Sequence, residues 1–126
     1  MSIRYPSVCN NAIWCIGELT MKIGEAIAPY VESILPLLLA INSQTRLSAG
    51  IKDNSTITIG RICLAVPTLA APQVRNFYGY LCMNIAKLRD TNEKVDATRG
   101  LCLVLQQIPD VFPDCFPQFV VLVASW

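Results

Sequence analysis

Ser7-Val8-Cys9-Asn10-Asn11-Ala12-Ile13-Trp14-Cys15-Ile16-Gly17-Glu18 has the periodicity of a helix built around a glycine, and the chain returns to that pattern twice more. The recurring glycines are Gly17, Gly60 and Gly100, 43 and 40 residues apart. Twelve or thirteen residues after each stands a proline, Pro29, Pro72 and Pro113. A proline there can open the next helix, at the position where a missing N–H costs nothing. A helix pair that recurs at a fixed period is a stacking unit. No copy can bury its apolar face alone, so its neighbours must cover it.

A period of 40 to 47 residues made of helix pairs is that of HEAT and armadillo arrays, which serve more often as binding scaffolds than as enzymes. The fold class expected is therefore all-α, an α-solenoid of antiparallel helix pairs. The spacing predicts a first helix over about 7–23, with Val8, Ala12, Cys15, Ile16, Leu19 and Ile23 as its apolar stripe. Gly24 stops it. A second helix runs over about 29–41, kinked or trimmed by Pro36. Residues 42–52 read as a polar loop and as the most flexible segment. Asp53 or Asn54 caps a third helix that ends near Val66, with Pro67 as its stop. The β-branched run Thr56–Ile62 stays helical because of its place in the register. The fourth helix opens at Pro72 and reaches about Arg89. The fifth runs from a Thr91 or Asn92 cap to about Gln107, and the sixth begins near Pro113. The pattern is unfinished at Trp126, so the native chain is expected to continue.

Composition narrows the classes. The 126 residues could make one ordinary domain, and 53% of them are apolar, with a mean hydropathy of +0.45. The longest wholly apolar stretch, Ile34–Ile41, contains Pro36 and falls far short of the ~20 residues that span a bilayer, so no membrane insertion is expected. The surplus apolar surface suits a slice of a solenoid, whose end faces pack on further repeats. A net charge of +1 offers no basic stripe for nucleic acid. No signal peptide is expected at the N-terminus, since Arg4 is followed by Pro6 and polar residues. The cysteines, at 9, 15, 63, 82, 102 and 115, form no CxxC pair, and there is no histidine, which leaves no metal site. They are expected to be reduced, buried thiols in an intracellular protein.

Trp14 is the residue that looks functional. At 100° per residue it lies roughly 200° from the centre of the first helix's stripe. Its face-mates are Asn10, Asn11, Glu18, Met21, Lys22 and Glu25, so a large indole stands on an otherwise polar surface. One reading is contact with an adjoining repeat; the other is an exposed anchor for a ligand. The register extends the second reading. Trp14, Ile57 and Ala97 each precede a register glycine by three residues, and Ile57 sits opposite its own helix's stripe. Stacking would align the three as an apolar track suited to an extended peptide.

These residues also carry a resemblance. The segment Ser7–Glu18 resembles the C-terminal HEAT repeats of the transportin family of β-karyopherin nuclear import receptors. Asp53-Asn54-Ser55-Thr56-Ile57-Thr58-Ile59-Gly60-Arg61 is similar to the next repeat of that family. Asn92-Glu93-Lys94 with Arg99-Gly100-Leu101-Cys102 is similar to the one after, and the closing Val123-Ala124-Ser125-Trp126 matches too. The resemblance covers nearly the whole chain and implies the helix phase. Glycine-bearing helices would be B helices lining the concave surface, and proline-opened helices the outer A helices. The chain would begin with a lone B helix (about 7–23), continue with whole repeats at about 29–66 and 72–107, and end with a lone A helix (about 113–125).

The resemblance further implies nuclear protein transport. The partners would be cargo proteins with extended nuclear localisation signals of the proline-tyrosine type. Ran in its GTP form would release the cargo, nucleoporins would bind the full-length receptor, and the receptor would shuttle between cytoplasm and nucleus. The family's C-terminal repeats take the hydrophobic or basic portion of the signal upstream of proline-tyrosine. The family's pocket tryptophan falls on Trp14, its isoleucine on Ile57 and its valine on Val8, although the wheel places Val8 on the apolar stripe instead. Asn10 would hydrogen-bond cargo backbone. Residues 42–52 and several outer-helix positions depart from the family pattern, which leaves room for a different cargo set.

An enzyme is disfavoured. Without histidine there is no Ser-His or Cys-His arrangement, no phosphate-binding glycine motif occurs, and Glu18 and Glu25 are surface charges two turns apart. No catalytic residue and no cofactor are expected. The competing class is a HEAT-repeat scaffold or adaptor subunit with no transport role, which would have no use for Trp14 on a polar face.

Overall fold

The computed structural model describes residues 4–126. It is an all-α solenoid with no strand among the described residues. Among the described residues seven helices follow one another: α1 (Pro6–Ile23), α2 (Ala28–Asn42), α3 (Ala49–Ala65), α4 (Pro67–Val74), α5 (Tyr78–Ala86), α6 (Asn92–Gln107) and α7 (Phe112–Ala124). Short 3₁₀ turns join α1 to α2, α4 to α5 and α6 to α7. One layer is α1, α3 and α6 side by side, and the second is α2, the α4–α5 segment and α7.

The register glycines are the points where the first layer closes. A Cβ on Gly17 would lie 2.7 Å from Thr58 Oγ1, and one on Gly60 would lie 2.5 Å from Ala97 Cα. A Cβ on Gly100 would overlap the Gly60 carbonyl oxygen. The 43- and 40-residue period is thus a period of close helix approaches, to a side chain at Gly17 and to backbone at Gly60 and Gly100, that leave no room for a Cβ. Thr58 reinforces the first of them, its hydroxyl donating to the Ile13 carbonyl at 3.0 Å.

Helix α3 lies at the centre, and every residue from Ser55 to Cys63 is buried. Its polar side chains are satisfied in place. Ser55 and Thr56 donate to the Lys52 carbonyl at 2.9 and 2.8 Å. The buried Asn42 amide donates to Ser55 Oγ and Thr56 Oγ1 at 2.7 and 2.9 Å, and its carbonyl accepts from Asn84 Nδ2 at 3.0 Å. The Tyr80 hydroxyl donates to the Asn42 backbone carbonyl at 2.8 Å. One asparagine therefore ties the end of α2 to the start of α3 and to α5. At the far end the buried Lys94 ammonium donates to Asp90 at 2.8 Å and to the Ser125 carbonyl at 3.1 Å, beneath the Trp126 ring.

Several helix bounds differ from expectation. Helix α3 starts at Ala49 after an extended Ser48, not at Asp53 or Asn54. The Asn42 network holds its first turns in place, so the last four residues of the expected 42–52 loop are helix, and only 43–48 lie outside helices. Pro67 does more than stop α3. After Val66 it takes the first position of α4, five residues ahead of the expected Pro72, which lies inside the helix. The fourth helix is also divided, by a 3₁₀ turn at Arg75–Phe77. Pro36 is accommodated within α2 at an exposed position.

The expected stripe of α1 is the larger correction. The residues buried on α1 are Ile13, Gly17 and Thr20, which face α3. Val8, Ala12, Cys15, Leu19 and Ile23 are exposed and Ile16 is half-buried. The thiols divide as well: Cys63 and Cys82 are buried, whereas Cys15 and Cys102 are exposed, and all six are free. Taken as one run, Pro6–Asn42 is long and apolar enough to cross a membrane. It is broken at Gly24, whose φ of 55° favours glycine, into two helices that both pack on α3.

Candidate functional site

Trp14 stands on α1 with 37% of its surface exposed, at the edge shared with α3. The guanidinium of Arg61 lies 5.4 Å from its ring centroid. Arg61 comes from the C-terminal part of α3 and is buried, the side chain only 7% exposed. Its Nη1 donates to Glu18 Oε1 at 2.6 Å, one helical turn beyond Trp14. On the other flank Nε lies 3.4 Å from Asp96 Oδ2 on α6. That second pair is a charge contact only, since Nε makes no hydrogen bond. One cation thus crosses all three helices of the layer, with a carboxylate on each side and an indole over it.

The surrounding charge is acidic. Glu93, at the start of α6, is held below the ordinary carboxylate value by the Thr91 hydroxyl and its own backbone amide, with help from the Arg61 charge. Farther up, the Asn10 carbonyl oxygen accepts from Asn54 Nδ2 at 2.9 Å, linking α1 to α3. That bond leaves the Asn10 amide as the group able to donate to a passing backbone. Val8 is 67% exposed, like most of the stripe to which the wheel assigned it, and lies two residues, about half a helical turn, from Asn10.

Ile57 is the correction within the site. It is 8% exposed and belongs to the buried core. A wheel drawn on α3 alone places it opposite the apolar stripe, but α1 and α6 flank α3 on both sides and close over that position. Ala97 is likewise buried, beneath Gly60. The expected track of Trp14, Ile57 and Ala97 therefore shrinks to Trp14, with Asn10 one turn before it on α1 and Val8 on a separate exposed face of that helix. Arg61 was missed as a site residue. Its signal was its position four residues after Ile57, one turn along the same helix face and opposite Glu18.

Among the described residues no group of histidine, cysteine and carboxylate side chains could hold a metal ion. The side chains that meet here are an indole, amides, carboxylates and one fixed cation. They can stack, hydrogen-bond and pair charges, but they include no activated nucleophile.

No protein-family model matches the chain. Curated relatives do. Transportin-1 of Homo sapiens is 35% identical over 123 residues, 98% of this chain and 14% of that protein. Transportin-1 of Oryza sativa subsp. japonica is 40% identical over 104 residues, 82% of this chain and 12% of that protein. Importin subunit beta-2 of Schizosaccharomyces pombe is 31% identical over 126 residues, 100% of this chain and 14% of that protein. The chain spans about one seventh of the length of the curated relatives it matches.

Proposed function

The chain belongs to the transportin family, and on that premise we propose that it forms part of the arch of a nuclear import receptor. In this reading the face of α1, α3 and α6 is the concave, cargo-binding side. Helices α2 and α3 form one repeat and α4–α5 with α6 a second, flanked by α1 and α7. The face takes extended localisation signals, with Trp14 as the anchor, Asn10 as donor to the peptide backbone and Val8 as apolar rim. The receptor would shuttle between cytoplasm and nucleus, bind nucleoporins and give up its cargo to Ran-GTP, through regions of the receptor outside this chain.

The observation that carries the reading is an indole left open on a polar face. Trp14 keeps 37% of its surface exposed among amides and charges that give an indole no apolar cover. An aromatic residue in this position is the kind that dominates binding energy at interfaces. Binding of a labelled peptide with an apolar segment upstream of proline-tyrosine tests it. Trp14→Ala is expected to weaken that binding by about 1–3 kcal/mol. Unchanged affinity in a folded Trp14→Ala protein would return the chain to the alternative of a HEAT scaffold with no transport role.

A further inference from the structure

We propose that Arg61 sets which peptide side chains the Trp14 site accepts, because it fills from within the place a bound cation would take. The inference rests on the cargo-face reading above and names what that face selects. A cationic side chain seeking an exposed tryptophan gains from the negative face of the ring and from nearby carboxylates. Here Arg61 already uses both. Its guanidinium covers the ring at 5.4 Å from the centroid, holds Glu18 at 2.6 Å and lies 3.4 Å from Asp96. An incoming arginine or lysine would meet a like charge at short range, held where little water can screen it. An aliphatic side chain meets no such opposition and can cover the indole surface that remains open.

The same geometry gives a specificity switch. Arg61→Met keeps an unbranched apolar stem and removes the charge. Glu18 and Asp96 then lose their counter-ion and the ring face is uncovered. The site becomes an acidic, aromatic notch with the chemistry of an arginine receptor. An Arg61 that served only to clamp the helices would lower stability when replaced and leave the preference unmoved.

The test compares two peptides ending in proline-tyrosine that differ only in leucine or arginine within the upstream segment. Their affinities are measured on the wild-type chain and on Arg61→Met, Arg61→Lys and Trp14→Ala, at low and high salt, with helicity followed by circular dichroism. The wild type should favour the leucine peptide, and Arg61→Lys should keep that preference. Arg61→Met should move the leucine-to-arginine affinity ratio toward arginine by about tenfold or more, and the shift should shrink at high salt. A folded Arg61→Met protein with an unchanged ratio, or a wild type that favours arginine, overturns the inference. If Arg61→Met does not fold, Glu18→Gln decides. It leaves the local charge more positive and should sharpen the leucine preference about threefold, and an unmoved ratio counts against. If Trp14→Ala leaves both peptides' affinities unchanged, the cargo-face reading itself has failed. If Trp14→Ala weakens both and the ratio never moves, only the Arg61 inference has.

Discussion

Cys63 and Cys82 are buried in the core, and burial pushes both thiols from an ordinary 9.0 up to about 12. Iodoacetamide at mildly alkaline pH should therefore label the exposed Cys15 first. Cys102, also exposed but raised by desolvation from its neighbours, should follow more slowly. Cys63 and Cys82 should react only as the chain unfolds, since the thiolate is the nucleophile. The same shift makes stability depend on pH. A folded value above the unfolded one keeps full stability below about pH 9 and loses it as pH climbs toward about 12, by ~1.4 kcal/mol per unit for each thiol. Labelling of Cys63 in the folded protein as fast as that of Cys15 would contradict this. At this scale Trp14 was legible because an indole among Asn10, Asn11, Glu18 and Lys22 is a local anomaly. Ile57 was not, because what covers it comes from two other helices. Asn42 was misread for a related reason. An asparagine after an apolar helix looks like the start of a loop until its partners, Ser55, Thr56 and Asn84, are brought to it.

Among the helices, Gly60 and Gly50 lie on the same α3 and make opposite predictions. A methyl at Gly60 meets the Ala97 backbone at 2.5 Å, so Gly60→Ala should destabilise the chain by about 1–3 kcal/mol despite the better helix propensity of alanine. A methyl at Gly50 meets nothing closer than Asn10 Oδ1 at 3.9 Å, so Gly50→Ala should stabilise by up to about 1 kcal/mol. Urea midpoints of the two variants check both signs, and a neutral Gly60→Ala would remove the close approach of α3 and α6 from the account. The glycine period was the strongest signal in the sequence, and it was legible because each copy does the same steric work. The stripe of α1 shows where single-helix reasoning ends. One 43-residue step maps Val8, Ala12, Leu19 and Ile23 onto Ile51, Ser55, Ile62 and Val66, all buried, on α3 or, for Val66, just past its end. The α1 residues are apolar for the same positional reason, but α2 packs over that face of α3 whereas no second-layer helix covers it on α1 to the same extent, so the stripe stays open. Periodicity reports which face is apolar; which neighbour covers it is a property of the stack. Pro67 and Pro72 show the same limit, since either can open a helix and the packing of α4 selects the first.

Over the whole molecule, a layer stapled by glycine contacts leaves no freedom at its centre, and the proposed binding chemistry falls to the edge between α1 and α3. There Arg61 neutralises part of an acidic surface while Trp14 stays open. The fold and the family were legible from period and motif together, whereas the membership of the site depended on how three helices close on one another. The most direct measurement is acrylamide quenching of Trp14 fluorescence in a Trp126→Phe protein, with and without a saturating peptide that has an apolar segment upstream of proline-tyrosine. The account predicts that bound peptide shields the indole and lowers the quenching constant by about twofold or more, as an interface anchor loses its water. Peptide that binds while Trp14 quenches as freely as before would contradict it.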